Sequence, residues 1–288
     1  MLDRRVFVRL LQFHDLPTLP QVVTRILEAV EDERTSAEDL TRLLETDPAI
    51  SLRVLRLANS AFFGLGQRVD SIRGAVVVLG FDAVCQLALA TSVLNTFSHR
   101  QQFALDPEDF WMHSLGAAKA AQAICTEHCR VESSEGCFTA ALIHDIGKYL
   151  FALALGKEYR EVVQTAWRSQ RLLKDVELEK LHTTHAEAGG WLCEKWRFPR
   201  IFKDVIGNLY NVPAYSGPFK TTLDVVALAD DISRRTGFGY AGDCNGHSAD
   251  PGLLEATGLT EEMVDRIVDN LACMRDETRQ FLDVLGKE

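Results

Sequence analysis

The sequence predicts an all-α protein. Apolar residues recur at three- and four-residue spacings along most of the chain, Ser, Thr, Asp and Pro stand before those runs, and Gly or Pro follows them. A chain of 288 residues, 47% hydrophobic and 25% charged, can bury one large core or two intimate lobes. We divide it into an N-terminal lobe of short helices (1–98), a helical core (99–236), and a loop with a closing C-terminal amphipathic helix (237–288).

In the first lobe, Leu16-Pro-Thr-Leu19-Pro20 is extended, because each proline pushes its predecessor out of the helical region. Pro20 then suits the first turn of a helix whose Val22, Val23, Ile26, Leu27 and Val30 share one face. Ser36-Ala-Glu-Asp39 opens a second helix with a capping-box pattern, and Asp47-Pro48 opens a third that runs to Ala58-Asn59-Ser60. Asn59 and Ser60 read as a helix-end cap network. Phe62-Phe63-Gly64 is a turn whose aromatics anchor that corner. Ser71 starts a helix ended by Gly80; Val76, Val77 and Val78 are β-branched, but the helical period on both sides outweighs that.

Phe81 to Phe97 is an apolar, nearly uncharged helix that must be buried on most sides. Asp106-Pro107 begins the next helix, which sets His113, Ala117, Ala120, Ala121 and Ile124 along one face. Ala140 to Leu150 reads as a single buried helix with His144, Asp145 and Lys148 inside it. A charged connecting region follows from Gly156 to Lys174, then helices at His185 to Trp196, Ile201 to Leu209 and Leu223 to Ile232. Gly237 to Pro251 is read as a surface loop, and Thr260 caps a last helix through Val264, Ile267, Leu271 and Met274.

The net charge of −10 argues against a nucleic-acid partner, since phosphate binding needs clustered Lys and Arg. Met1-Leu-Asp-Arg-Arg leads into no sustained apolar run, so no signal peptide is expected. Ala83 to Ser98 is too short and too polar to span a membrane, so no membrane partner is expected either. Seven cysteines, an odd number scattered through helical segments, suit reduced thiols in a cytoplasm. Cys125, His128, Cys129 and Cys137 can be forced into a zinc site, but near a helix end they read more simply as helix and loop residues.

Burying an imidazole, a carboxylate and an ammonium costs several kcal/mol unless each finds a partner or a metal. Neighbours on a helix diverge by about 100°, so His144 and Asp145 share one ion only above their common edge. Further ligands must then come from other helices. His113 and Asp230 lie on buried faces and can supply them, with Asp231 equally near in sequence. Two His and two Asp suit one divalent ion of the Fe, Mn or Zn kind. Lys148, one turn after His144, would face a substrate phosphate if the site is catalytic. His185 is either an extra ligand or a helix N-terminal histidine bonded to neighbouring backbone.

His113…His144-Asp145…Asp230 resembles the H…HD…D pattern of the HD superfamily of metal-dependent phosphohydrolases. Leu16-Pro-Thr-Leu19-Pro20, Asp47-Pro48-Ala, Leu55-Arg-Leu-Ala58-Asn59-Ser60-Ala-Phe62, Ile72…Ala75…Leu79-Gly80, Trp111-Met-His113-Ser and His185-Ala-Glu187-Ala-Gly189 with Trp196-x-x-Pro199 resemble the HDOD (HD-related output domain) family within it. The likeness spans Leu16 to Pro213. It implies a helical bacterial signalling module acting through other signalling proteins, with Asp230 preferred over Asp231 on the Ala-Asp match. No receiver, GGDEF or DNA-binding segment is seen in the sequence, so the input is expected from another protein or a ligand. Where HD-GYP phosphodiesterases carry a His-His pair before a proline, this sequence reads Leu209-Tyr210-Asn-Val-Pro213, and it has no GYP motif. The alternative reading is a phosphohydrolase with metal ligands His113, His144, Asp145 and Asp230 and a phosphate contact at Lys148.

Overall fold

Side-chain caps written into the sequence set several of the helix starts. In the computed structural model, which describes residues 3–13, 19–31, 34–60, 65, 68–98, 105–127, 136–243 and 250–286, every regular element among the described residues is helical. The N-terminal helices are α1 (Arg4–Gln12), α2 (Gln21–Glu31), α3 (Ala37–Glu45), α4 (Pro48–Ala58), α5 (Ile72–Leu79) and α6 (Phe81–Ser98). Ser36 and Asp39 form the reciprocal capping box of α3, Asp47 caps α4 with Pro48 in its first turn, and Ser71 caps α5. Gly80, at φ +92°, lets the chain turn by 120° between α5 and α6. Asn59 donates to the carbonyls of Leu55 and Val69 and accepts from the Val69 N–H, which is the cap network the sequence suggests. The extended segment at 14–18, the aromatic turn at 61–64 and the His128 and Cys129 positions lie outside the described residues.

The core follows with α7 (Pro107–Glu127), α8 (Cys137–Ile143), α9 (Ile146–Leu155), α10 (Lys157–Ser169), α11 (Leu173–Leu181), α12 (His185–Lys195), α13 (Arg200–Gly207) and α14 (Lys220–Thr236). The chain then forms α15 (Pro251–Thr257), α16 (Glu261–Cys273) and α17 (Arg275–Gly286). Four readings change. The single helix expected over Ala140 to Leu150 is broken at His144-Asp145 into α8 and α9. The region from Gly156 to Lys174 is no mere connection: Tyr159, Val162, Val163 and Ala166 make the buried stripe of α10. The Gly237 to Pro251 segment is not all surface, because Ala241 and Asp243 are buried. Finally, a helix precedes and another follows the one that Thr260 caps.

α14 lies against α7, α8 and α13, and α16 and α17 pack on α7. The most apolar long stretch, Cys137–Leu155, is mostly buried inside the protein, so its hydropathy serves the core. Small residues allow the closest contacts. A Cβ on Gly116 of α7 would stand 2.5 Å from Ser233 Oγ of α14, whose hydroxyl donates to the His113 carbonyl at 2.8 Å. A Cβ on Gly147 of α9 would stand 1.8 Å from the His185 carbonyl oxygen and 2.7 Å from Gly189 N of α12.

The obstacle at Gly147 is backbone, so no rotamer change relieves it. Gly147→Ala should therefore destabilise the protein by about 3 kcal/mol or more, whereas Gly116→Ala, opposed by a hydroxyl that can rotate, should cost less. Urea unfolding of both variants checks this, and equal midpoints for Gly147→Ala and the parent would refute it.

Candidate metal centre

The helix break is what makes a site of the His-Asp pair. His144 is still helical (φ −56°, ψ −33°), but Asp145 sits at φ −95°, ψ 7°, the sparsely used bridge region. The two side chains converge instead of diverging, with His144 Nε2 3.4 Å from Asp145 Oδ2. α7 brings His113 and α14 brings Asp230 to the same point. Asp230 Oδ1 lies 3.1 Å from His113 Nε2 and 3.4 Å from His144 Nε2. Asp145 Oδ2 lies 3.7 Å from His113 Nε2. All four residues are buried. Asp231 is one residue on and pairs with Arg234, while Asp230 faces the histidines.

These donors fit a cation. His144 Nδ1 lies 2.6 Å from the Ala141 carbonyl, so the Nδ1–H donates there, and loss of the other ring proton to an ion leaves the lone pair on Nε2, the tautomer a metal-ligating histidine adopts. That Nε2 is fully buried and makes no hydrogen bond, although it faces two carboxylates. Burial pulls the His144 pKa down, but Asp145 and Asp230 push it up to about 10. At His113 burial wins over Asp230, and the pKa falls. Burial would raise both carboxyls, yet His144 with Lys148 holds Asp145, and Arg234 with His144 holds Asp230, well below the usual range. A positive charge is thus strongly favoured between these residues, and a divalent ion held by imidazole and carboxylate satisfies the same field.

Lys148 is buried, not snorkelling to the surface. Its Nζ donates to Asp145 Oδ2 at 2.7 Å, the Ala241 carbonyl at 2.7 Å and Asp243 Oδ2 at 3.0 Å. His185 lies beside Asp145 Oδ1, 3.2 Å from its Nε2. Glu177 fixes that ring: it accepts from His185 N at 2.9 Å, lies 2.7 Å from His185 Nδ1, and accepts from Tyr159 Oη at 2.7 Å. Tyr210 Oη is 2.8 Å from His185 Nε2. Burial lowers the His185 pKa, but Glu177 and the hydrogen bonds to Asp145 and Glu177 more than offset it. Four participants were missed in the sequence. Arg234 was legible, since it stands one turn after Asp230 and binds its Oδ2 at 2.9 Å. Glu177, Tyr210 and Asp243 had no periodic signal.

The centre meets solvent on one side. A cleft of about 470 Å³ is lined by Tyr210, Asp230, Arg234 and Asp243, together with Lys174 and Lys220. Elsewhere, the Cys125 and Cys137 thiols hydrogen-bond to each other.

The HDOD domain profile matches residues 16–212 of the chain. An uncharacterized protein of Treponema pallidum (strain Nichols) is 26% identical over 226 residues, which are 75% of this chain and 42% of that protein; the chain thus spans less than half of that relative. Among solved structures, a candidate signal transduction protein from Marinobacter aquaeolei VT8 is similar at TM-score 0.79 and 23% identity, over 98% of this chain and 65% of that one. A candidate phosphohydrolase from Shewanella amazonensis SB2B is similar at TM-score 0.73 and 24% identity, over 96% and 98%. At these identities the likeness is one of fold.

Three outcomes follow from this geometry. Protein purified without chelator should hold about one equivalent of Fe, Mn or Zn by elemental analysis, and the His144→Ala, Asp145→Ala variant should hold none. An ion present at about 100 times its Kd stabilises by about 2.7 kcal/mol, so chelation should lower the Tm by about 5–10 °C. Equal metal content in both proteins would remove the site from these residues. Lys148→Met should cost about 3–5 kcal/mol, because Asp145 and Asp243 are left buried without their cation; an unchanged denaturation midpoint would contradict that.

Proposed function

The chain belongs to the HDOD family, and on that premise we propose that it is a regulatory signalling protein that acts through partner binding and carries one divalent ion at its centre. The observation that carries the proposal is the state of the donor set: His113, His144 and Asp230 come within 4.8 Å of one another with Asp145 beside them, yet among the described residues both cations at the centre are committed to internal carboxylates. Lys148 is held by Asp145 and Asp243 and Arg234 by Asp230 and Asp231. A site built this way retains an ion and couples the elements around it; among the described residues it offers no free cation at the centre to a substrate.

His113, His144, Asp145 and Asp230 would hold the ion, and when bound it supplies Lewis acidity and lowers the pKa of a coordinated water. The chain's own groups prepare the place. Arg234 turns Asp230 so that Oδ1 faces the histidines, the Ala141 carbonyl fixes the His144 tautomer, and Glu177 with Tyr210 orients His185 beside Asp145. Because the donors come from α7, the α8–α9 junction and α14, occupancy ties three elements into one unit. Shifts of such packed helices are a common way for a buried event to reach a surface.

The second reading, a phosphoester hydrolase, is favoured by the cleft that reaches Asp230 and Arg234. The two readings separate on a panel of phosphate monoesters, diesters and nucleotides given to metal-reconstituted protein. The signalling reading expects no turnover above that of the Asp145→Ala variant. Hydrolysis present in the parent and lost in Asp145→Ala would establish the enzyme instead.

A further inference from the structure

Away from the metal centre, two thiols meet across a helix interface. Cys125 stands in the last turn of α7, two residues before its end, and Cys137 is the first residue of α8. The two helices pack against one another, and the Cys137 S–H donates to the Cys125 sulfur. Their surroundings differ. Cys137 is 1% exposed, and the Thr222 hydroxyl of α14 hydrogen-bonds to its sulfur, whereas Cys125 is half-buried. The hydrogen bond it receives draws the Cys125 thiol below its ordinary value against burial, while the same bond and burial push Cys137 up. The other buried thiols lack this arrangement. Burial, helped by Asp82, pushes Cys85 up to about 12, and burial raises Cys193 as well, the state of inert core cysteines.

Oxidation of a thiol needs an accessible thiolate, and a reversible product needs a second thiol in reach of it. The pair supplies both, one on each helix. We propose that Cys125 and Cys137 form a reversible redox site for hydroperoxides, with Cys125 as the nucleophile and Cys137 as the resolving thiol. The Cys125 thiolate attacks the terminal oxygen of the hydroperoxide. An S–O bond forms, the O–O bond breaks, and the alkoxide or hydroxide that leaves takes up the proton Cys125 had released. The Cys137 sulfur then attacks the sulfenic acid: the S–S bond forms, the S–O bond breaks, and hydroxide departs as water with the Cys137 proton. The two thiols lose two electrons to the peroxide, which ends as an alcohol, or water, and a further water. A small dithiol restores both thiols by exchange. The bridge ties the end of α7, the helix that carries His113, to the start of α8, the helix that leads into His144. Neither sulfur belongs to the donor set of the centre, so this inference stands apart from the metal reading.

The test exposes the reduced full chain to hydrogen peroxide, stops samples with catalase and an alkylating reagent, and maps the cysteines by mass spectrometry of non-reduced digests. The parent should yield peptides joined by a Cys125–Cys137 bridge, and dithiothreitol should return both thiols. Cys273, which is more exposed, is the internal control, and Cys125 should be oxidised about 10-fold faster or more. Cys137→Ser should leave Cys125 as a sulfenic acid that dimedone traps; Cys137→Ala serves the same purpose where the serine variant does not fold. Oxidation of Cys125 no faster than that of Cys273 in the parent would overturn the inference, whatever the variants do. So would a bridge from Cys125 to Cys129, or zinc lost from the purified protein when Cys125 and Cys137 are both replaced.

Discussion

A buried ammonium organises the middle of this molecule. Lys148 lies 1% exposed, where an unpaired charge would cost several kcal/mol, and its three acceptors come from places far apart in the chain. Asp145 is one turn back, while Ala241 and Asp243 lie beyond the end of α14. Satisfying one ammonium therefore draws the segment after α14 over the end of α9. Through the second oxygen of Asp243, it also places the start of α11. Residues 237–243, the first part of the segment that composition marks as solvent-exposed, are pulled inside by this single requirement.

A second chain of partners runs from the same carboxylate. Asp145 Oδ1 meets His185, His185 meets Glu177 and Tyr210, and Glu177 meets Tyr159. Asp145, His185, Glu177 and Tyr159 are buried and Tyr210 is half-buried, so the network links α9, α10, α11 and α12. Gly147 and Gly189 let α9 and α12 approach closely enough for His185 to reach Asp145. Packing and polar chemistry here are one constraint: the glycines set the distance that the hydrogen bonds need.

Much of this was legible in the sequence, and the reasons differ by residue. Ser36, Asp47 and Ser71 announced their helices because capping is local chemistry that acts within three residues. His113 and Asp230 could be read because each lies on an apolar helix face, where a polar group needs a reason. The break at His144-Asp145 was not legible, since aliphatic residues on both sides continue a helical period across it. Nor was α10, whose buried stripe is masked by a charged opposite face. Asp243 was hidden most completely. Its role depends on a tertiary contact with Lys148, and a glycine-rich segment carries no periodicity to show which way a side chain points.

The donors of the centre are scattered along the chain, and that has a consequence for its assembly. Ser233 reaches back 120 residues to the His113 carbonyl, and Asp230 closes a loop of similar length. Long-range closures are slow steps in folding. During synthesis α7, α8 and α9 emerge well before α14, so the half-built centre holds two histidines and one aspartate with nothing opposite them. If the centre holds an ion as proposed, its retention would require that this long loop has closed.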